Sequence, residues 1–329
     1  MAAILGNTIN LIVLTKVKKM MANQVILLRI LAITDFVSGT QCFVGVIQQC
    51  FPHLQSCTHI ICKLSGLILS LCCANASFTL VLIAVDKTVS IVKPLQYHSL
   101  MTPYRIKAVM ALSVLLQLAL LLYISSGDPN CGNQPQILSN VIYMQEWGNC
   151  IIDFHNPALK MGTLSLYLYV VVLPAVMIAS TYFLLATVSC RQSRQIAASV
   201  RDSKILKDLR KKELKGLKLA FAITISFLLS WVMFSTLAIR ESFTEKKATP
   251  VAKLIGGVLA ISSSWTNTFI YFFIYAEFRR TAKKLFYGKL KSVSKMSSSN
   301  HETWFPRITK QDTAEEERFG AKVNVLTKV

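Results

Sequence analysis

Asp35 stands inside Val25–Gln49, a stretch that is otherwise apolar apart from Arg29. A carboxyl group in such surroundings is costly unless it turns toward other polar groups, where it can hold a proton, a cation or a set of hydrogen bonds. Asp86 and Lys87 are adjacent opposite charges at the end of a second apolar run, and Glu213 sits where another begins. Such charges can pair and part as a switch, or simply mark the edge of a membrane. Cys50, Cys57, Cys62, Cys131 and Cys150 gather near the ends of apolar runs on one side, where disulfides persist, but connectivity is not deducible from spacing. Cys42, Cys72 and Cys73 fall within the runs, and Cys190 lies at the inner end of one. Asn75-Ala76-Ser77 has the form of a glycosylation sequon, but it lies inside an apolar run and is expected to be unmodified.

What must position these groups is set by hydrophobicity. The 329 residues are 53% apolar and 16% charged, against about a quarter charged in soluble domains. Leu64–Val85, Ala108–Gly127, Gly162–Cys190, Leu219–Ile239 and Leu254–Ala276 contain no Asp, Glu, Lys or Arg. Each has the length of about 20 residues needed to cross roughly 30 Å of hydrocarbon as a helix. A helix also satisfies its own backbone polar groups where water is absent. The runs do not alternate as barrel strands would.

Val25–Gln49 makes a sixth span. Met1–Thr15 is apolar but short, without the basic start and cleavage site of a signal peptide. It is expected to be the inner half of a first helix whose upstream part is missing. The predicted fold is an all-α membrane protein, a seven-transmembrane helix bundle over 1–290 with a truncated first helix. Its spans lie near 1–17, 22–49, 60–92, 104–126, 161–190, 212–240 and 250–275. An amphipathic surface helix is expected over 277–290, using Phe278, Leu285 and Phe286 against lipid, and a disordered tail over 291–329. Asp128–Lys160 carries Pro129, Pro135 and Pro157 and is read as a loop with turns. Arg191–Lys212 is read as helical extension of spans five and six. No internal repeat is seen, which counts against a transporter built from two similar halves.

Cations set the orientation. Lys16, Lys18 and Lys19, then Lys87 and Lys93 to Lys107, then Arg191 to Lys212, then Arg279 to Lys284 fall in segments on one side of the predicted bundle. The positive-inside rule puts these segments and the C-terminus in the cytoplasm. The net charge of +20 is explained by this partition, so a nucleic-acid partner is not expected.

Several motifs recur in order on these spans. They are Gly6-Asn7 on the first, Leu31-Ala32-Ile33-Thr34-Asp35 on the second, and Cys62 opening the third. Asp86-Lys87-Thr88-Val89-Ser90-Ile91-Val92-Lys93-Pro94-Leu95-Gln96-Tyr97 follows. Pro174 and Tyr182 lie on the fifth, Glu213 and Phe227-Leu228-Leu229-Ser230-Trp231 on the sixth, and Asn267-Thr268-Phe269-Ile270-Tyr271 then Phe278-Arg279 on and after the seventh. Together they resemble the rhodopsin-like G-protein-coupled receptors along nearly the whole chain, from Gly6 to about Phe286. Three departures stand out: Lys87 for the family's Arg after Asp86, Met233 for the proline after Trp231, and Thr268 for the proline after Asn267.

The resemblance implies roles. Asp35 would centre an ion or proton site with Ser263, Ser264 and Asn267, where a sodium ion could sit, although Ala76 replaces a usual serine ligand. Cys62 and Cys150 would form a disulfide, and Cys57 with Cys131 a second. Asp86, Lys87, Glu213, Tyr182 and Tyr271 would form the cytoplasmic switch, with Lys87 pairing to Glu213. Lys lacks the planar fork of Arg, so that lock is expected to be weaker. Leu95 would touch a heterotrimeric G protein. Trp231 and Phe227 would relay changes in the pocket, and Thr268 would bend its helix by bonding back one turn.

The implied ligand pocket is lined by Leu69, Ser70, Cys73, Leu166, Val170, Trp231, Phe234, Ser235, Gly257 and Ile261. Leu69 stands where amine receptors carry an Asp, which disfavours a monoamine. The apolar lining suits a small or lipid-like ligand. Glu146, Asp153, Glu241 and Lys253 at the rim leave a peptide open. Thr327-Lys328-Val329 has the form of a PDZ ligand, and Ser292, Ser294, Ser297, Ser298 and Ser299 could be phosphorylated. The chain is thus read as a plasma-membrane receptor and not an enzyme, with no cofactor apart from the sodium ion considered at Asp35. The alternatives are a receptor-derived protein with reduced or lost signalling, and a membrane transporter.

Overall fold

Each uncharged run becomes a helix. In the computed structural model, which describes residues 1–17, 20–55, 59–125, 138, 140–152, 160–199, 204–244 and 247–285, α1 is Ala2–Lys16, α2 Ala22–Cys50, α3 Ile60–Val92 and α4 Pro103–Ser125. The fifth, α5, runs through Lys160–Tyr167, a π turn Leu168–Val172 and Leu173–Ser199. Lys204–Thr244 is α6 and Pro250–Ile274 is α7. Among the described residues, α2, α3, α4, Lys218–Glu241 of α6 and α7 are long and apolar enough to cross a membrane, while α1 and Leu173–Leu184 are shorter apolar helices. The predicted extensions of spans five and six are present as helix.

Local chemistry explains several ends. Thr249 caps α7, its hydroxyl accepting from the Ala252 N–H at 3.3 Å, with Pro250 in the first turn where a missing N–H costs nothing. Arg29, the one cation of the second span, donates to the Leu14 carbonyl at 2.7 Å. Leu14 lies in the last turn of α1, whose carbonyls have no partner within the helix. The π turn of α5 ends just before Pro174, and the Leu173 N–H bonds the Leu168 carbonyl five residues back. A proline lacks the N–H that a regular ladder would use, and a π bulge re-routes the bonds around it.

The helices pack with α3 at the centre, touching α2, α4, α5 and α6, while α1 lies on α2 and α7, and α6 on α7. Polar residues turn inward. On α4, Ser113 and Gln117 are buried while Leu112, Leu115 and Leu116 are exposed, and Gln117 reaches the Tyr169 hydroxyl of α5 at 3.2 Å. This inside-out pattern is how a bundle glues itself in lipid.

The segment expected to be a turn-rich loop instead contains a hairpin. Strands β1 (Val141–Met144) and β2 (Asn149–Ile152) pair antiparallel, with Tyr143 opposite Cys150. Gly148 closes the turn at φ +60°, a conformation that favours glycine. Both strands pack on α3, and β2 also packs on α2. At the other end of the bundle, a 3-10 turn Pro94–Gln96 and a helical turn Tyr97–Leu100 join α3 to α4.

The chain divides into two units after Arg279. Residues 276–285 are helical, in the region of the expected surface helix, while its remainder, the tail over 291–329 with its serines and Thr327-Lys328-Val329, and the Cys57–Cys131 pair lie outside the described residues.

Candidate functional site

Beneath the hairpin the bundle holds a cavity of about 150 Å³. Of the predicted lining, Leu69, Ser70, Cys73, Trp231, Phe234, Ser235, Gly257 and Ile261 do line it. The side chains of Leu166 and Val170 lie outside the described residues. The sequence reading missed the hairpin's contribution, Trp147, Asn149 and Ile151, and also Ser38 and Cys42 of α2. The signal for the hairpin was present: Val141-Ile142-Tyr143 and Asn149-Cys150-Ile151-Ile152 are β-branched and aromatic runs around a Gly-containing turn.

One wall of the cavity is aromatic. Trp147 lies 4.7 Å from Phe234, Phe234 lies 5.3 Å from Trp231, and Trp231 lies 5.8 Å from Phe227, ring centre to ring centre. The floor is polar. The Trp231 indole donates to the Ser263 hydroxyl at 3.3 Å, and that hydroxyl donates to the Ala260 carbonyl at 2.7 Å. Asp35, also in the lining, accepts from the Asn267 amide at 2.8 Å and from Ser264. The predicted ion-site residues thus come together from α2 and α7.

The same geometry tests the sodium expectation. Asp35 and the Ser264 hydroxyl present oxygens, but Ser263 is engaged by Trp231, Asn267 turns its amide nitrogen to the carboxylate, and Ala76 offers a methyl group. A hard cation needs a fuller set of oxygen ligands, so the residues present fit sodium poorly.

At the rim, Glu241 and Lys253 face each other at 3.1 Å, both buried, and Glu241 also accepts from the Ala248 N–H at 2.5 Å. These two rim charges therefore neutralise one another. Asp153 lies outside the described residues.

The opposite end of the bundle carries a second cluster. Asp86 accepts from the Tyr97 hydroxyl at 2.8 Å and faces the Lys87 ammonium at 3.5 Å. Lys87 also donates to the Gln24 side chain of α2 at 3.4 Å. Asn23 donates to the Tyr97 hydroxyl at 3.0 Å and to the Met101 carbonyl at 2.6 Å. The Glu213 side chain, expected as the Lys87 partner, lies outside the described residues. The partners that Lys87 shows tie it to α2, and Gln24 was not read from the sequence. Burial and the neighbouring Asp86 charge push the Tyr97 hydroxyl well above its ordinary pKa. Tyr182 packs edge-on against Phe221 at 4.9 Å and bonds Thr224, linking α5 to α6. Tyr271 is buried 5.9 Å from the Phe278 ring. Leu95 is 99% exposed.

The disulfide implied by the resemblance is present, joining Cys62 at the start of α3 to Cys150 in β2. The sequon residue Asn75 lies within α3 and donates to Thr34 of α2 at 2.8 Å.

A seven-helix bundle with a hairpin-covered cavity and an intramembrane Asp–Asn pair defines a multi-pass membrane receptor fold. The family described as 7 transmembrane receptor (rhodopsin family) matches residues 6–271, and the chain belongs to it. It is similar to the Gq-coupled rhodopsin of Mizuhopecten yessoensis, 25% identical over 84% of this chain and 55% of the relative. It also resembles the human adenosine receptor A2a, 27% identical over 64% of this chain and 52% of the relative, and the human probable G-protein coupled receptor 21, 23% identical over 82% and 75%. The chain thus spans about half the length of the first two. Squid rhodopsin superposes with a TM-score of 0.72 at 20% identity, over 86% of this chain and 76% of that one, a likeness of fold. None of these relatives is named as an enzyme or a transporter.

Proposed function

We infer that the protein is a plasma-membrane receptor that carries ligand binding in the cavity to a heterotrimeric G protein at the Lys87 end, with that end and the C-terminus in the cytoplasm. The observation that carries this reading is a polar cluster along the floor of the cavity that joins α6, α7 and α2. Trp231 lines the cavity, bonds Ser263, and lies on the helix next to the Ser264–Asp35–Asn267 cluster. A ligand that moves Trp231 therefore disturbs the bonds that hold α2 to α7. Binding acts by shifting a balance between closed and open forms, limited by the difference in affinity for the two.

Asp35 serves in this reading as a hydrogen-bond hub and not as a sodium site. The closed form is held at the other end by Asp86, Tyr97, Lys87 and Gln24, whether or not Glu213 joins them. Leu95, wholly exposed beside that cluster, is the residue offered to the G protein. The ligand is small and weakly polar: the lining is apolar, Leu69 offers no charge to an amine, and Glu241 and Lys253 are spent on each other.

Nucleotide exchange on purified heterotrimeric G proteins, measured on membranes holding the full chain, tests the reading. The relative from Mizuhopecten yessoensis is named as Gq-coupled, so Gq is assayed first. Stimulated exchange on one class supports the proposal. Silence on every class, with the protein folded and at the cell surface, points to a receptor-derived protein that no longer signals.

A further inference from the structure

Trp147 reaches across the cavity from the strands that carry it. The hairpin is seated on the α2–α3 side. Cys150 is bonded to Cys62, Gly66 of α3 lies against Val141 and the Cys150 carbonyl, and Gly45 of α2 lies against Gly148 and Asn149 so closely that a Cβ there would overlap them. From that seat the Trp147 indole extends to α6 and α7. Its ring stacks at a tilt on Phe234. Its Nε1–H donates to the Lys253 carbonyl at 2.7 Å. A Cβ on Gly257 would stand 2.7 Å from its Cδ1, so the indole occupies the place where any larger residue would put its side chain.

These three features describe a built seat: an aromatic face from Phe234, bare backbone at Gly257, and an acceptor at Lys253 whose charged side chain is turned to Glu241. The cavity that remains, about 150 Å³, is smaller than the roughly 300 Å³ or more of pockets that hold drug-sized ligands. A ligand of that size does not fit while Trp147 keeps its place.

We propose that this seat is a binding subsite for a planar aromatic ligand bearing a ring N–H, and that the chain's own Trp147 competes with such a ligand for it. An external ligand of this chemistry displaces the indole, takes over the Lys253 carbonyl and opens the cavity. Because Trp147 joins a hairpin fixed on α2 and α3 to the ends of α6 and α7, its displacement frees those two helices from the hairpin. This rests on the reading of the cavity as the ligand site, but the seat itself can be measured without signalling.

The test compares wild type, W147A and W147F as full chains in detergent, with indole and naphthalene as probes and thermal unfolding and equilibrium binding as readouts. W147A is expected to unfold earlier and to regain about 3 °C with saturating indole. Indole should bind W147A at least tenfold more tightly than wild type, whose own ring holds the seat. Naphthalene, without the N–H, should bind W147A roughly fivefold more weakly than indole. W147F keeps a ring but loses the donor, and should fall between wild type and W147A in stability. If W147A does not fold, W147F and wild type still bear on the idea: W147F as stable as wild type overturns the hydrogen bond. Equal indole binding by wild type and W147A, or equal binding of indole and naphthalene, overturns the subsite. Indole rescue of W147A without G-protein exchange upholds the seat while removing the signalling reading.

Discussion

Asn10 of α1 donates its amide to the Thr268 hydroxyl of α7 at 3.0 Å, at the position where the family's Asn-Pro-x-x-Tyr motif has its proline. Asn7 reinforces the contact, donating to the Ser264 carbonyl at 2.7 Å and accepting from Asn10 at 3.1 Å. Ser264 lies one turn before Thr268. The sequence suggested that Thr268 would bond back along its own helix, and the bond found ties it sideways to α1. Interhelical bonds of this kind are worth about 0.6 kcal/mol each in a membrane protein. Thr268→Val should lower stability in detergent by about that much and Asn10→Ala by more, because it also gives up the bond to Asn7, and the double variant should lose less than the sum. Strict additivity would show that the two residues do not act as a pair.

Restoring the family's proline here is expected to harm the protein. Thr268→Pro removes a backbone N–H, drives the ring at the Ser264 carbonyl that Asn7 already uses, and takes away one of the two acceptors of the Asn10 amide. Such a change in a helix interior costs about 3 kcal/mol. The melting temperature of Thr268→Pro should fall well below that of Thr268→Val. A proline variant as stable as wild type would mean that α7 is already bent to receive it.

Glu241 and Lys253 should behave as a buried pair. Removing one partner leaves the other charge buried alone, at a cost of about 3–5 kcal/mol, whereas replacing both leaves no lone charge and only the Ala248 N–H without its acceptor, a smaller cost of about 1–3 kcal/mol. Glu241→Met should therefore be much less stable than Glu241→Met/Lys253→Met when unfolding is followed at one pH. Equal stability of the two would show that the pair is solvated. The same pairing means that two of the four rim charges face each other across the helix ends. Sequence counts charges, and cannot see which of them neutralise each other across two helices.

The spans were legible because lipid imposes a simple demand, about 20 apolar residues with internally bonded backbone, and Asp35 with Asn267 was legible through motif order. Trp147 was not, because its partners Phe234, Lys253 and Gly257 are about a hundred residues away in the chain and it sits in a turn between strands of four residues each. Gln24 was missed for a related reason. The charge opposite Lys87 drew attention to Glu213, while the neutral amide that reaches it depends on how α2 is rotated against α3. The π turn before Pro174 follows from the proline's missing donor, but the side on which the helix absorbs it is a matter of packing.

Tyr97 gives the inner cluster a signature in alkali. Its hydroxyl donates to Asp86 at 2.8 Å, and its pKa in the folded chain is raised, first by burial and then by the Asp86 charge. A raised pKa means that the folded state keeps the proton longer than the unfolded chain, whose tyrosines titrate near about 10. The stabilisation is then complete below that pH and is lost as the pH climbs toward the folded value. The difference in unfolding free energy between wild type and Tyr97→Phe should be flat from neutral pH to about 10 and shrink above it. A difference that stays constant through pH 11 would mean that the hydroxyl is not held by Asp86.

The hairpin seat offers the sharpest contrast between a contact and a covalent tie. Gly66 lies beneath β1 and β2, and a Cβ there would stand 2.5 Å from Val141 Cγ1 and 3.2 Å from the Cys150 carbonyl oxygen. Gly66→Val should therefore push the hairpin away from α3 while the Cys62–Cys150 disulfide still tethers it. Overpacking of this kind costs about 1–3 kcal/mol, and losing the disulfide in Cys62→Ala/Cys150→Ala costs about 2–4 kcal/mol. The two lesions should differ in what they do to Trp147. A tethered but lifted hairpin withdraws the indole from the Lys253 carbonyl, so Gly66→Val should bind indole more tightly than wild type, as W147A does. An untethered hairpin that still rests on Gly45 and Gly66 can keep Trp147 in place, so the double cysteine variant should bind indole nearly as weakly as wild type. If the order is reversed, the disulfide and not the glycine bed holds the indole over the cavity.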